Sequence, residues 1–262
     1  MKNLLIIVAG LFIVSCNNKT ESKVKYSDLA SDNLKGDVTS VEETPYKVDS
    51  TGKMGGMDTC CVDKWNYDEN GLYVGSVSKN DKGMTAAESV PTHHENGLWK
   101  GTTDSKYGRV MFTMDTKLND KGEYVLAEST DSTGKRDYYY KDMTQNEYGQ
   151  VMHWKQYDKD SIFRMEGDNK YDKNLWMGFT GKDSVGKTKN SSVAKYNDKG
   201  EQVEVSNTNV TKDSTTTTVT KYTYDSHDDM GNWTQRTEWN DKGKAVKIIK
   251  RVYTYGKKET KK

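Results

Sequence analysis

The side chains with the clearest chemical potential form a column of aromatic residues that recurs along the chain. A turn signal rich in Asn, Asp and Gly repeats about every 26 residues, and an aromatic residue tends to follow it by two positions. This aromatic column comprises Tyr73, Trp99, Tyr124, Trp176 and Trp233, with Val151 and Gln202 at its two remaining positions. A row of aromatic faces can stack on sugar rings or on the apolar surface of a partner, and it can equally pack as core. The column is therefore the candidate ligand-binding site, with core packing as the alternative.

The adjacent residues Cys60 and Cys61 are the second candidate. They follow an atypical insertion, Gly52 to Thr59, that contains Met54 and Met57. An exported chain meets an oxidising environment, in which adjacent cysteines can close a small disulfide ring. Two thiols and two thioethers would instead suit Cu(I), and an ordinary surface loop is the third interpretation. We expect a loop with or without a vicinal disulfide, and no metal or other cofactor.

Catalytic signatures are missing from the sequence. His93 and His94 are the only tight histidine pair, but consecutive residues of a strand point to opposite faces, so we expect a polar turn there. No motif of a nucleophilic hydrolase, a zinc protease or a phosphate-binding loop occurs. The carboxylates fall mostly in turn signals, where Asp and Asn cap their own backbone. We predict no catalytic residues; a glycan hydrolase with paired carboxylates is the enzyme alternative.

The turn signals place all these residues on β-hairpins. One set includes NDKG at 119–122, and a second, interleaved set includes NDKG at 80–83; such residues tolerate the positive φ of tight hairpin turns. The intervening runs alternate in polarity and are rich in β-branched and aromatic residues, most clearly in 244–255. We predict an all-β, antiparallel β-hairpin repeat array in one long curved or wrapped sheet over 34–256, followed by a basic tail, 257–262. A β-propeller is the alternative fold.

Composition narrows the classes of partner. Lys and Arg total 40 against 39 Asp and Glu, and only 32% of the residues are hydrophobic. A chain so close to neutral lacks the basic surplus that nucleic-acid binding requires, so we expect no nucleic-acid partner. The low hydrophobic content fits a sheet with much of its surface exposed to solvent. Aromatic residues that recur in register argue against disorder.

The N-terminus indicates export. Lys2 precedes an apolar run, 4–14, that is too short to span a bilayer as a helix. Ile13 to Cys16 resembles the lipobox of bacterial lipoproteins. This resemblance implies that 1–15 is a signal peptide, that Cys16 carries the lipid, and that 16–33 is a flexible tether. Because Asn17 is not Asp, the resemblance favours the outer membrane, facing either the periplasm or the surface.

The repeats themselves carry a second resemblance. Tyr-Asp turns followed by an aromatic residue, as from Tyr67 to Tyr73, resemble the YD repeats of the RHS type and the related MORN-like hairpin repeats. The stretch from Tyr222 to Tyr253 is similar to the terminal unit of small repeat lipoproteins of unknown function. In those families the repeats form continuous antiparallel sheets that act as scaffolds. This chain is far shorter than RHS proteins and shows no autoproteolysis or toxin segment.

These features predict a non-catalytic envelope lipoprotein, attached to a membrane through its lipid, whose repeat sheet binds a protein or glycan partner. A toxin-neutralising or immunity lipoprotein is the alternative, suggested by kinship to hairpin repeats found in such systems. An envelope glycan hydrolase is the third hypothesis.

Overall fold

Antiparallel strands make up most of the described part of this protein. The computed structural model describes residues 27–58 and 60–256, in which a short helix, α1 (Asp28–Ser31), precedes seventeen strands. The strands are β1 (Val38–Val48), β2 (Met54–Met57), β3 (Val62–Tyr67), β4 (Tyr73–Lys79), β5 (Thr85–His93), β6 (Trp99–Lys106), β7 (Arg109–Leu118), β8 (Tyr124–Asp131), β9 (Arg136–Gln145), β10 (Val151–Asp158), β11 (Phe163–Asp172), β12 (Leu175–Asp183), β13 (Thr188–Tyr196), β14 (Gln202–Val210), β15 (Thr215–His227), β16 (Trp233–Trp239) and β17 (Ala245–Tyr255).

The sheet closes on itself into a barrel. From β3 onward each strand pairs antiparallel with the next, and β1 pairs both with β3 and with the last strand, from Val38↔Tyr255 to Lys47↔Lys247. Sixteen strands therefore form the ring, and β2 is a short hairpin partner of β1 outside it. The predicted all-β hairpin array is confirmed, and the propeller alternative is wrong. A barrel of sixteen strands is wide enough to leave an aqueous lumen.

One turn geometry is used at most hairpins. In the turn that begins at Asn80, the side-chain Oδ1 accepts bonds from the backbone N–H of Lys82 and Met84, each at 3.0 Å, and Gly83 N donates to Asn80 O at 2.9 Å. Gly83 has φ +74°, a left-handed conformation that glycine adopts at little cost. The same pattern recurs at the turns that begin at Asp68, Asn119, Asp131, Asn146, Asp183, Asn197, Asp228 and Asn240. The predicted turn signals are therefore the hairpin turns.

The segment before β1 crosses one end of the barrel, and we call residues 27–36 the plug. The Asn33 amide donates to the Gly200 carbonyl at 2.9 Å, and Leu29 N donates to the Gly71 carbonyl at 3.1 Å, so the plug is bonded to turns on different sides of the ring. The Lys35 ammonium donates to the Gly231 carbonyl at 3.1 Å. This end is the plugged end, and the opposite end, where the turn of Asn80 lies, is the open end.

Part of the N-terminal prediction falls outside the described residues. The signal peptide, Cys16 and most of the predicted tether, 16–33, are there, as is the basic tail, 257–262. From Asp28 onward the expected tether gives way to packed structure, because α1 and the residues after it are bonded to the barrel.

Each strand presents alternate residues to the lumen and to the outside. On the lumen wall, Tyr140 packs edge-on against Trp154 with ring centroids 5.1 Å apart, and Trp154 lies nearly parallel to Phe179 at 6.0 Å. Tyr138 extends this row through an edge contact with Tyr140 at 5.5 Å. The row crosses β11 at Gly167, where a Cβ would lie 2.7 Å from the Phe179 ring. We call Tyr138, Tyr140, Trp154 and Phe179 the lumen ladder.

Candidate ligand-binding lumen

The structure places the aromatic column on the lumen wall at the plugged end. In its hairpins the register shifts immediately after the column position: His93 pairs with Trp99, whereas Thr92 pairs with Gly101. The same shift follows Tyr73, Tyr124, Trp176 and Trp233. A bulge of this kind bends the strand and redirects a side chain, which explains why one position in each repeat carries the large inward ring.

The backbone carbonyls beside these bulges are capped by tyrosine hydroxyls that lie one or two strands away. Tyr196 donates to the Trp176 carbonyl and Tyr253 donates to the Trp233 carbonyl, each at 2.7 Å. Tyr124, a column member itself, donates to the Trp99 carbonyl at 3.0 Å. Burial raises the pKa of the Tyr124 hydroxyl above its usual range, so this hydroxyl remains a donor at physiological pH.

Three column members surround one cavity. Trp99, Tyr124 and Trp176 line a space of about 570 Å³ together with Tyr171, and Ser31 of the plug forms part of its boundary. Its polar groups include Thr116, Gln150 and Asn174. We call this space the column cavity. Large aromatic faces combined with a few fixed polar groups are the usual composition of a small-molecule site.

The fourth column member, Trp233, packs against two arginine side chains. The Arg251 guanidinium lies 4.0 Å from its ring centroid and the Arg236 guanidinium lies 4.8 Å from it. These three residues line a second cavity, about 270 Å³, on the other side of the plug. Burial opposes the charge of Arg251, but Glu43, which accepts from Arg251 Nε at 2.8 Å, keeps the pKa of Arg251 above its usual value. Arg236 Nε is buried without a hydrogen-bond partner among the described residues.

The fifth member, Tyr73, lies in a third cavity of about 490 Å³ under the plug. Asp32 of the plug enters this space and accepts a hydrogen bond from the Tyr67 hydroxyl at 2.7 Å. Burial raises the pKa of the Asp32 carboxyl, and the bond from Tyr67 opposes that change. The predicted column is thus one layer of the lumen wall, but the plug divides it among three cavities.

The histidine pair separates in the structure. His94 Nε2 lies 3.0 Å from the Thr116 hydroxyl, whereas His93 Nε2 lies 3.7 Å from Asp28 of the plug. Among residues 27–58 and 60–256, no three His, Cys, Asp or Glu side chains are grouped to hold a metal ion. Cys60 and Cys61 are joined to each other by a disulfide between β2 and β3, in the half of the barrel towards the open end. Met54 and Met57 are exposed beside it.

The outward wall carries ion pairs as well as exposed valines such as Val193 and Val252. Lys195 pairs with Glu204 at 2.7 Å, and Asp168 pairs with His153 at 2.8 Å and with Lys182 at 3.0 Å. These ion pairs join neighbouring strands on the face opposite the lumen. In the part of the chain that the structure describes, no helix is long and apolar enough to cross a bilayer.

Several residues that shape the lumen are not evident from the sequence. Arg236 and Arg251 alternate with outward residues as any strand residues do, and an arginine in a strand is ordinarily expected to face water. Gln150 is buried and donates to the Asn174 carbonyl at 3.1 Å, which joins two turns of the plugged end. Its one sequence signal is its position directly after the glycine of a turn.

Comparisons with known proteins bear on the fold alone. No known protein family and no curated protein matches this chain. A porin-like protein from Bacteroides uniformis is similar to it in structure, with a TM-score of 0.52 and 12% identity over 84% of this chain and 99% of that chain. The TcdB2-TccC3 structure matches over 78% of this chain and 13% of that chain at 12% identity. Its TM-score of 0.29 is too low to indicate a shared fold. The porin-like structure supports the closed antiparallel barrel described above.

Proposed function

We propose that this protein is a non-catalytic, lipid-anchored envelope protein that binds a glycan in its lumen. The observation that carries the proposal is the convergence of Trp99, Tyr124 and Trp176 on one cavity. Their recurrence in sequence reflects a layer of inward rings rather than an outer strip. The protein partner considered from the sequence is then an outcome of the test below.

The chemistry of the column cavity suits a sugar. The weakly polar C–H faces of a sugar ring pack on aromatic rings, while its hydroxyls need donors and acceptors nearby. Gln150 and Asn174 supply amide groups at the edge of the cavity, and Asn169 Oδ1 lies 3.4 Å from Trp176 Nε1. An aromatic surface with a few convergent polar groups binds such a ligand without a reactive residue.

The outward wall supports attachment by a lipid rather than insertion of the barrel. Outer-membrane barrels present an apolar band to lipid, and a Lys or Arg at the midplane of that band costs about 2–4 kcal/mol. Lys182 and Lys195 lie on the outward wall in ion pairs with Asp168 and Glu204. Such a wall is stable in water, and the lipid predicted at Cys16 would then hold the protein at the membrane.

The position of the plug gives the proposal an orientation. The described chain begins with the plug, so the predicted tether would join the fold at the plugged end. A lipid at Cys16 would keep that end near the membrane, and the open end would face away from it. The lumen would then open to the solution on the side of the protein away from the membrane.

Tryptophan fluorescence tests the binding. The soluble body, from Asn17 onward, is titrated with a panel of cell-wall and surface glycans. We expect a saturable change in emission that Trp99→Ala and Trp176→Ala reduce at least about tenfold in affinity, since each removes a stacking face from the column cavity. Trp239→Ala is the matched control, because Trp239 lies on the outward wall and donates to Thr223 at 2.9 Å. Saturation that is unchanged in both lumen variants, or no response from any glycan, would refute a glycan site and favour a protein partner.

Fractionation tests the anchor. The full chain should sediment with membranes and extract into detergent, and Cys16→Ser should appear in the soluble fraction. A Cys16→Ser protein that stays with the membranes would show that the barrel is held there by other means.

A further inference from the structure

We propose that the lumen recognises glycan chains by their ends, because it can be entered from one end of the barrel only. This inference rests on the proposed glycan binding and specifies its substrate class. It concerns the shape of the lumen, whereas the proposed function concerns the chemistry of its wall.

The open end admits water into the lumen. Asn207 pairs with Thr218 and Asn209 pairs with Thr216 across β14 and β15, on the face that also carries Tyr224 of the second cavity. All four residues are exposed although they face inward. A ligand can therefore reach the lumen wall from this end.

The plugged end stops a chain that enters in this way. Ser31 of the plug borders the column cavity, and Asn33 and Lys35 hold the plug to the turns at Gly200 and Gly231. On the side away from those bonds, Gln150 joins its own turn to Asn174 of the neighbouring turn. The cavity thus ends against the plug and against turns that are bonded to each other.

The lumen ladder connects the open end to the column cavity. Tyr140 pairs across β8 and β9 with Ala127, which lines that cavity. From Tyr140 the aromatic contacts continue through Trp154 to Phe179. Successive sugar rings of one chain can therefore stack along the wall, with the terminal sugar in the column cavity.

A blind lumen of this kind distinguishes chain ends from chain interiors. The interior of a polymer could enter only as a sharp hairpin, whereas a terminus can enter straight. The wall from Tyr124 to the open end is about 19–22 Å high, given strands of eight residues and an ordinary barrel tilt. Sugars beyond that length would make no contact.

Titration calorimetry on the soluble body tests this inference with the glycan from the panel that binds most tightly. That glycan is supplied as oligosaccharides of increasing length and as its long soluble polymer. We expect affinity to rise with length and then stop changing, with one barrel bound per chain at every length. Several barrels bound along each polymer would overturn chain-end recognition while leaving glycan binding intact. If no glycan of the panel binds, the proposed glycan-binding function is refuted, and this inference is refuted with it.

A labelling experiment tests the blind lumen without any glycan. Single cysteines are introduced as Thr218→Cys near the open end and Ala127→Cys at the column cavity, in a background where Cys60 and Cys61 are serine. A small maleimide should label both sites, whereas a maleimide on a large polymer should label Thr218→Cys at least about tenfold faster. Equal rates for the large reagent would show that the column cavity opens directly to the plugged end, and would overturn the inference.

Discussion

The same type of hairpin turn occurs at both ends of the barrel, but the residue that follows it is buried more often at the plugged end. At both ends an Asn or Asp caps the turn through its side chain and a glycine closes it. At the plugged end the residue after that glycine is buried at Leu98, Gln150, Glu201 and Asn232, half-buried at Leu72 and exposed at Glu123. At the open end the equivalent residues Met84, Lys135, Lys187 and Lys244 are all exposed, as is Ile162, which follows Ser161. Turn chemistry therefore determines where a hairpin reverses, and the next residue determines whether that reversal becomes part of the packed structure.

The largest expected effect compares two glycines. Gly178 lies two residues beyond Trp176 at the plugged end, with φ +154°, and a Cβ there would overlap the Ser192 carbonyl oxygen. We expect Gly178→Ala to lower the free energy of unfolding by about 3–5 kcal/mol, since it combines a conformation that only glycine favours with a backbone clash. Gly186→Ala, in an open-end turn with φ +77° and nothing within 4 Å, should cost only about 1 kcal/mol. Urea denaturation measures both, and equal losses would contradict the proposed difference in packing.

The second comparison concerns the residue after the turn glycine. Asn232 accepts from Lys35 N at 2.9 Å and donates to the Lys35 carbonyl at 2.9 Å, so its amide pairs with the plug backbone. Asn232→Ala should cost about 2–3 kcal/mol because it leaves both plug groups unpaired. Lys244→Ala, the equivalent change at the open end, should stay within about 0.5 kcal/mol.

Hydrogen exchange locates the effect of Asn232→Ala. Exchange should become faster at the Leu29 amide, which donates to the Gly71 carbonyl, and at the Leu34 amide, which donates to the Leu29 carbonyl. An unchanged plug would show that Asn232 does not hold it.

The third comparison concerns tyrosine hydroxyls. Tyr196→Phe removes the donor to the Trp176 carbonyl and should cost about 1 kcal/mol. Tyr107→Phe alters a tyrosine that is 66% exposed at the open end and should be neutral within error. Thermal unfolding of the two variants provides the measurement, and a loss for Tyr107→Phe as large as that for Tyr196→Phe would argue against the capping role.

The smallest expected effect is a difference in pH dependence between the ends. Burial raises the folded pKa of Asp32 in the plug, so the stability it contributes is complete below its unfolded value of about 3.8 and is lost as pH rises through the folded value. Asp131, in an open-end turn, has its pKa lowered by hydrogen bonds from Thr133 and Lys135, so its contribution is lost as pH falls. Asp32→Asn should therefore become more favourable as pH rises from 3 to 7, whereas Asp131→Asn should become more harmful over the same range. Urea midpoints from pH 3 to 7 that shift in the same direction for both variants would contradict this assignment.

The local parts of the fold are predictable from sequence, and the long-range parts are not. The turn at 119–122 and the alternation in 244–255 depend on neighbouring residues, and both appear in the structure. The side of the sheet that becomes the lumen depends on the pairing of Val38 with Tyr255, which no local pattern encodes. The column was therefore identifiable as one face, but not as an inward one.

The candidate site shows the same limit. The plug helix has four residues, too few for a helical period to be recognised. The position of Arg251 between Trp233 and Glu43 depends on partners far away in sequence. The cavities therefore follow from how distant segments meet, whereas the aromatic residues that line them are already apparent in the repeat.

The closure of β1 on β17 also imposes an order of assembly. Each hairpin can form from residues close in sequence, but the first strand must wait for the last one before its edge is covered. Until then the chain is an open ribbon with two unpaired edges, which is the form of a β-sheet most prone to join other chains. A cell that makes this protein would need to keep the unfinished ribbon apart from its copies until β17 pairs with β1.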